Sequence, residues 1–166
     1  MGLFKGFGSK KNDQLDERRN IYSPLVGKVV ALSEVNDPVF AEEMMGKGAA
    51  IIPLKGEVFA PCDGEVVTVF RTLHAITLKG DHGAEIIIHV GLGTVALDGQ
   101  HFESHVVDGM RIKKGDLLLT FDIEAIKAAG YEVVTPVVIT NSADYEKVEK
   151  TERKEVGNKD LLICLA

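Results

Sequence analysis

Basic residues are in deficit: 19 Lys and Arg stand against 25 Asp and Glu, leaving a net charge of −6. That balance excludes a nucleic-acid binder, whose phosphate contacts demand clustered Lys and Arg. It fits a chain that charge keeps soluble, or one that meets a basic protein partner. Cysteine is scarce as well. Cys62 and Cys164 lie far apart without metal-type spacing, so they read as buried or idle thiols of a reducing compartment. No apolar run approaches the roughly 20 residues that span a bilayer. The amino terminus has no basic start, apolar stretch and small-residue cleavage site in succession. The expectation is a cytoplasmic protein.

The 166 residues, 45% hydrophobic and 27% charged, suit one domain that buries roughly 70% of its unfolded surface. Residues 1–19 are rich in Lys, Asp, Gly and Arg without sustained periodicity and read as a flexible arm, with the folded domain over residues 20–166. Leu3, Phe4 and Phe7 offer a second reading of the arm, as a short amphipathic turn on a membrane surface. From Ile21 onward short β segments alternate with Gly, Pro and Asp. Strands are predicted over Gly27–Leu32, Ala49–Leu54, Gly64–Phe70, Ala75–Lys79, Ala84–Val90, Leu117–Phe121, Thr135–Thr140 and Leu161–Leu165. Helical signals are brief. Asp37 and Pro38 supply an N-cap and first residue for a turn ending at Gly46, Asp122 and Gly130 bracket another, and Ser142 caps a third through Lys147. The fold class that follows is all-β, an antiparallel sandwich or barrel with only short helical turns.

An internal echo supports a pseudo-duplication. Tyr22-Ser-Pro-Leu-Val-Gly-Lys-Val-Val30 returns as Phe59-Ala-Pro-Cys-Asp-Gly-Glu-Val-Val67, with aromatic, proline, glycine and paired valines coinciding. Each copy reads as a proline-started turn, a glycine bend and a strand. Val106–Gly109 and Ile112–Asp116 add two glycine-centred turns before a further strand.

The stretch from Thr72 to Val90 carries the chemistry. Gly80 and Gly83 mark a four-residue loop between two strands. If Lys79 pairs with Ala84 across it, His74 falls opposite His89 with Cβ atoms about 5 Å apart, and Thr72 shares the face of His74. His89 ends an Ile-Ile-Ile run where the chain turns glycine-rich, and Gly91 and Gly93 permit close approach to the backbone. Thr94 and Val95 are expected to resume strand structure. A neutral imidazole, with a reference pKa of about 6.5, is a competent nucleophile at neutral pH. With one ring nitrogen donating to a backbone carbonyl, the other is free to attack phosphorus. The second histidine, bonded through Thr72, is placed to donate to phosphoryl oxygens.

Gly83-Ala-Glu-Ile-Ile-Ile-His89-Val-Gly-Leu-Gly-Thr-Val95 closely resembles the phosphohistidine signature of the glucose-type enzyme IIA family of the bacterial sugar phosphotransferase system. The likeness extends to Pro38–Glu42, Ala60-Pro61, Gly64, His74, Lys114–Asp116, Phe121-Asp-Ile and Thr135–Asn141, and covers the chain from about Ile21 to its end. The resemblance implies a compact antiparallel β-sandwich. It implies that His89 accepts a phosphoryl group from the phosphohistidine of HPr and passes it to a cysteine of the IIB domain of a sugar permease, with which the chain associates transiently at the membrane. His74 then stabilises the phosphoryl group, and Thr72 is its hydrogen-bond partner. Val39, Phe40, Phe70, Ile87, Gly91, Gly93 and Val95 match the partner-binding face, ordinary core packing being the other reading of its apolar members. Gly93 stands where many relatives carry an aspartate, so charge complementarity there is either weaker or supplied by Asp37 or Asp98.

Other readings attach to the same residues. No cofactor is required by the resemblance, yet His74 and His89 form two imidazoles of a zinc site that water or a partner carboxylate could complete. A zinc hydrolase wants more: the chain has no His-x-His, and His101 and His105 sit in a Gly- and Asp-punctuated stretch rather than an HExxH helix. These two read as surface residues and His82 as a loop-tip residue. Lys113–Asp116 looks like a biotinyl or lipoyl hairpin but lacks the Met-Lys-Met that such carriers modify. A regulatory protein that binds targets according to its phosphorylation state is the remaining alternative. The sugar is not legible, because the permease binds it.

Overall fold

The computed structural model describes residues 19–166, so the arm and its Leu3, Phe4 and Phe7 lie outside the described residues. The strands form one large sheet and two small ones, all antiparallel. The large sheet has eight strands in the order β13 (Glu155–Val156), β2 (Gly27–Val30), β3 (Lys47–Pro53), β11 (Thr135–Ile139), β7 (Glu85–His89), β6 (Ala75–Gly80), β5 (Gly64–Val69) and β9 (Arg111–Ile112). One small sheet is β1 (Ile21–Tyr22), β14 (Leu161–Leu165) and β12 (Val148–Lys150). The other is β4 (Glu57–Phe59), β10 (Leu117–Phe121) and β8 (Phe102–Ser104). Between the large sheet and the small ones lies the main core, where Ile76, Ile86, Ile88, Val137 and Ile139 meet Ile21, Val58, Leu118, Leu119, Leu162 and Ile163.

Period-2 alternation explains the Ile-Ile-Ile run. Ile86 and Ile88 enter the main core, while Ile87 points to the opposite face, into a second cluster with Leu32, Val35, Phe40, Ala50 and Val138. Residues 32–45 supply the cover for that outer face. Their helix α1 (Pro38–Ala41) starts where Asp37 accepts from the Val39 amide, with Pro38 at the first helical position. A second helix, α2 (Ile123–Ala128), is capped by Asp122 and followed by Gly130 at φ +94°. The third helical signal is displaced: Ser142 lies inside a 3-10 turn, Ser142–Asp144, whose N-cap is Asn141.

The sequence echo is a structural dyad. Tyr22 N–H donates to Pro61 O and Phe59 N–H donates to Pro24 O, so each copy closes on the proline of the other. β13 pairs with β2 (Val156 with Gly27) as β9 pairs with β5 (Ile112 with Gly64). The turns before β10 and β14 also match: Asp116 accepts from Lys113 N–H and Asp160 from Gly157 N–H in the same way. The repeated glycine has one reason in both copies. A Cβ at Gly27 would collide with Ile52 O, and at Gly64 with Lys79 O. The pseudo-axis passes between β7 and β11, and one half, β4 through β10, is continuous in sequence.

The histidine hairpin departs from expectation by one residue. Lys79 pairs with Glu85 and Ala75 with His89, because the loop has three residues and not four. Gly80 stays in its strand, its N–H donating to Ala84 O, and Gly83 takes the left-handed position at φ +100°. Thr94 and Val95 do not resume a strand either; they open a 3-10 turn, Thr94–Leu97, behind Gly93 at φ +70°.

Candidate functional site

His89 closes β7 and is half-buried. In the observed register the residue opposite it is Ala75, so direct pairing does not bring His74 to it. A tight turn does. Phe70 N–H donates to Ala75 O and Leu73 N–H to Phe70 O, with Leu73 in the left-handed region at φ +59°. The turn lifts His74 out of the ladder at the mouth of β6, where its carbonyl accepts from Val90 N–H at 2.7 Å. The imidazole centroids stand 4.8 Å apart with planes at 85°. Phe40 packs on His89 at 5.1 Å and Phe70 edge-on to His74 at 5.6 Å.

Each ring is tied through Nδ1. His89 Nδ1 lies 2.8 Å from Gly91 O, and His74 Nδ1 lies 2.7 Å from Thr72 Oγ1. A carbonyl only accepts, so His89 carries its proton on Nδ1 and presents Nε2 as a lone pair. We assign the Thr72 hydroxyl as donor, which leaves the His74 proton on Nε2. The pair then offers one nucleophilic nitrogen and one N–H donor. Thr72 stands beside His74 as expected, although a turn and not a strand face places it there.

Both rings are biased toward the neutral form. Burial, with a smaller contribution from the neighbouring His89, pushes His74, only 3% exposed, down to about 4. Burial also lowers His89, against the opposing pull of its Gly91 hydrogen bond and the Asp37 carboxylate. At neutral pH the nucleophile is therefore unprotonated on Nε2, as attack on phosphorus requires.

The expected partner face divides by burial. Val39 and Val95 are 39% and 55% exposed, and Gly93 is also exposed. Phe70 is half-buried against His74. Phe40 and Ile87 are each 3% exposed and Gly91 is buried, so these three present little surface of their own. His101 and His105 are exposed as expected. His82 stands at the loop tip as expected and is half-buried there, with Nδ1 accepting from Ala84 N–H. Asp37 acts on His89 electrostatically, whereas Asp98 ends the 3-10 turn in the left-handed region at φ +50°.

Among the described residues no three His, Cys, Asp or Glu side chains are grouped to hold a metal ion. His74 and His89 contribute at most two of the four ligands of a tetrahedral zinc, so a self-contained hydrolytic centre does not fit this donor set. No helix among the described residues is long and apolar enough to cross a membrane.

Over residues 19–145 the sequence matches the family described as phosphoenolpyruvate-dependent sugar phosphotransferase system, EIIA 1. The chain belongs to this family. It is 47% identical over 146 residues to the glucose-specific EIIA component of Bacillus cereus, covering 88% of this chain and 86% of that protein. It is 50% identical over 149 residues to the β-glucoside-specific EIIBCA component of Bacillus subtilis, covering 90% of this chain but only 24% of that longer protein. Among solved structures, glucose permease IIA from Mycoplasma capricolum superposes with a TM-score of 0.80 at 36% identity, covering 87% of this chain and 94% of the other. The EIIA sandwich is the fold observed here.

Sequence reasoning missed three contributors to the site. The carbonyls of Glu132 and Val134, which accept from Leu92 N–H and Gly91 N–H, have no side-chain signature at all. Thr94, whose hydroxyl donates to Val90 O, was read as strand; its position five residues past the nucleophile, after two glycines, is the signal that marks a capped loop.

Proposed function

We propose that this chain is a phosphocarrier: Nε2 of His89 accepts the phosphoryl group from the phosphohistidine of HPr and passes it to a cysteine of the IIB domain of a sugar permease. The observation that carries the reading is the His89 Nδ1–Gly91 O bond beside a second imidazole 4.8 Å away. In the first step the Nε2 lone pair forms the new N–P bond as the donor's N–P bond breaks and its electron pair returns to the donor imidazole. The proton stays on Nδ1, donated to Gly91 O throughout, so no proton changes place on His89. His74 Nε2–H donates to the phosphoryl oxygens, and Thr72 keeps that tautomer in place. In the second step a cysteine thiolate forms S–P as the His89 N–P bond breaks, restoring the neutral ring. The exposed Val39, Gly93 and Val95 form the partner rim. Residues 20–166 act as the EIIA domain, in the cytoplasm. Zinc is not needed, and His74 with His89 would hold it only where a partner supplies the missing ligands.

The test is incubation with phosphoenolpyruvate, enzyme I and HPr, followed by mass spectrometry. The expected result is one acid-labile, base-stable phosphate on the peptide containing His89, lost in His89→Gln. Phosphate on another peptide, or full labelling of the variant, would overturn the assignment.

A further inference from the structure

We propose that Thr94 is a positioning residue for His89: its hydroxyl locks the Val90–Gly91 peptide and thereby fixes the Gly91 carbonyl that holds the nucleophilic tautomer. The inference rests on the phosphocarrier reading for its purpose, but not for its geometry. Thr94 is fully buried, and its Oγ1 donates to Val90 O across four residues. The N–H of that same peptide, on Gly91, donates to Val134 O at 3.1 Å. Both ends of the plane are therefore held. The next peptide is arranged likewise: Leu92 N–H donates to Glu132 O at 3.0 Å while Gly91 O receives His89 Nδ1. Immediately upstream, Val90 N–H donates to His74 O. Three successive peptides thus connect both imidazoles to one rigid loop.

Gly91 makes that loop vulnerable. At φ +77° its backbone has the freedom glycine allows, and a peptide flanked by glycine can rotate readily unless something holds it. A Cβ on Gly91 would run into the Thr94 methyl and Glu132 O, so glycine and threonine are fitted to each other. Without the Thr94 hydroxyl, the Val90 carbonyl is left in a fully buried residue with no side-chain donor, and rotation of the peptide is its way to a new partner. Such a rotation moves the Gly91 carbonyl away from Nδ1 and lets the His89 proton redistribute to Nε2, the nitrogen that must attack.

The experiment compares wild type with Thr94→Val, which removes the hydroxyl at nearly constant shape, and Thr94→Ser, which keeps it. Long-range nitrogen–proton correlation spectra of the imidazoles at pH 7.5 read the tautomer without any phosphoryl donor. The wild-type His89 is expected as a single Nδ1–H species. Thr94→Val should show a mixture with Nε2–H and single-turnover phosphorylation by phospho-HPr slowed about fivefold, the factor of one net hydrogen bond. Thr94→Ser should restore both. If Thr94→Val does not fold, Thr94→Cys, a weak donor of similar size, carries the same expectation. Retention of the pure Nδ1–H species in the hydroxyl-less variant overturns the proposal, whatever happens to its melting temperature. A wild-type protein that accepts no phosphate refutes the phosphocarrier reading separately, since the tautomer is read without transfer.

Discussion

Burial of His74 ties stability to pH in a way that can be measured residue by residue. In the unfolded chain its imidazole takes a proton near pH 6.5, whereas in the fold it does so at about 4. The folded-state pKa is the lower one, so as pH falls the unfolded state binds the proton first. Stability is therefore intact above pH 6.5 and is lost progressively between 6.5 and 4. Linkage over that window gives a loss of about 2 kcal/mol at pH 5 and about 3 kcal/mol by the acid end. Other acid-linked groups act alike on both proteins, so the measurement is a difference. Urea unfolding of wild type and His74→Gln at pH 7.5 and 5.0 should show wild type losing about 2 kcal/mol more than the variant over that step. Equal losses would refute the reasoning, as would a His74 proton resonance that titrates near 6.5 in the folded protein.

Further consequences follow from the same geometry. Thr72→Val leaves Nδ1 of a buried ring without its partner; the expected cost is about 1–3 kcal/mol in urea unfolding, with phosphorylation by phospho-HPr slowed several-fold in single-turnover assays. Gly64→Ala drives a methyl into Lys79 O within the β5–β6 ladder, and calorimetry should record a loss of about 2 kcal/mol or more, with Gly27→Ala behaving alike at its dyad mate. Gly93→Asp meets only the Tyr131 ring at ordinary contact distance and stands at φ +70°, a region aspartate tolerates better than most residues. It should change melting little and raise the association rate with a basic partner in stopped-flow measurements at low salt, the gain vanishing as salt is added.

Much of this architecture was legible because its signals are local and repeated. The Ile86–Ile88 run announced a buried strand, which proves covered on both faces, and the Pro–Gly echo announced a pseudo-symmetric pair that the hydrogen bonds of Tyr22 and Phe59 now display. Asp37 and Asp122 marked helix starts correctly because an N-cap is a side-chain property. Register was another matter. Gly80 and Gly83 are equally compatible with a three-residue and a four-residue loop, and only packing of the flanking strands chooses between them. The histidines still meet because Leu73 adopts a left-handed turn that no residue preference signals. Strands of two or three residues such as β9, β12 and β13 are too short for periodicity to show, and exist by docking onto neighbours already in place. The family resemblance fixed which histidine to watch; the carbonyls that hold it belong to backbone, about which side-chain identities say nothing.

The dyad also decides what a fragment of this molecule can do. Residues 57–121 hold both imidazoles and Thr72 in one uninterrupted stretch, yet the aromatic floor under His89 and the two carbonyls that anchor its loop come from the opposite half. Excised, that stretch would keep every reactive atom and lose the seam that aims them. Reactivity should therefore return only when the complementary pieces are mixed and reassemble.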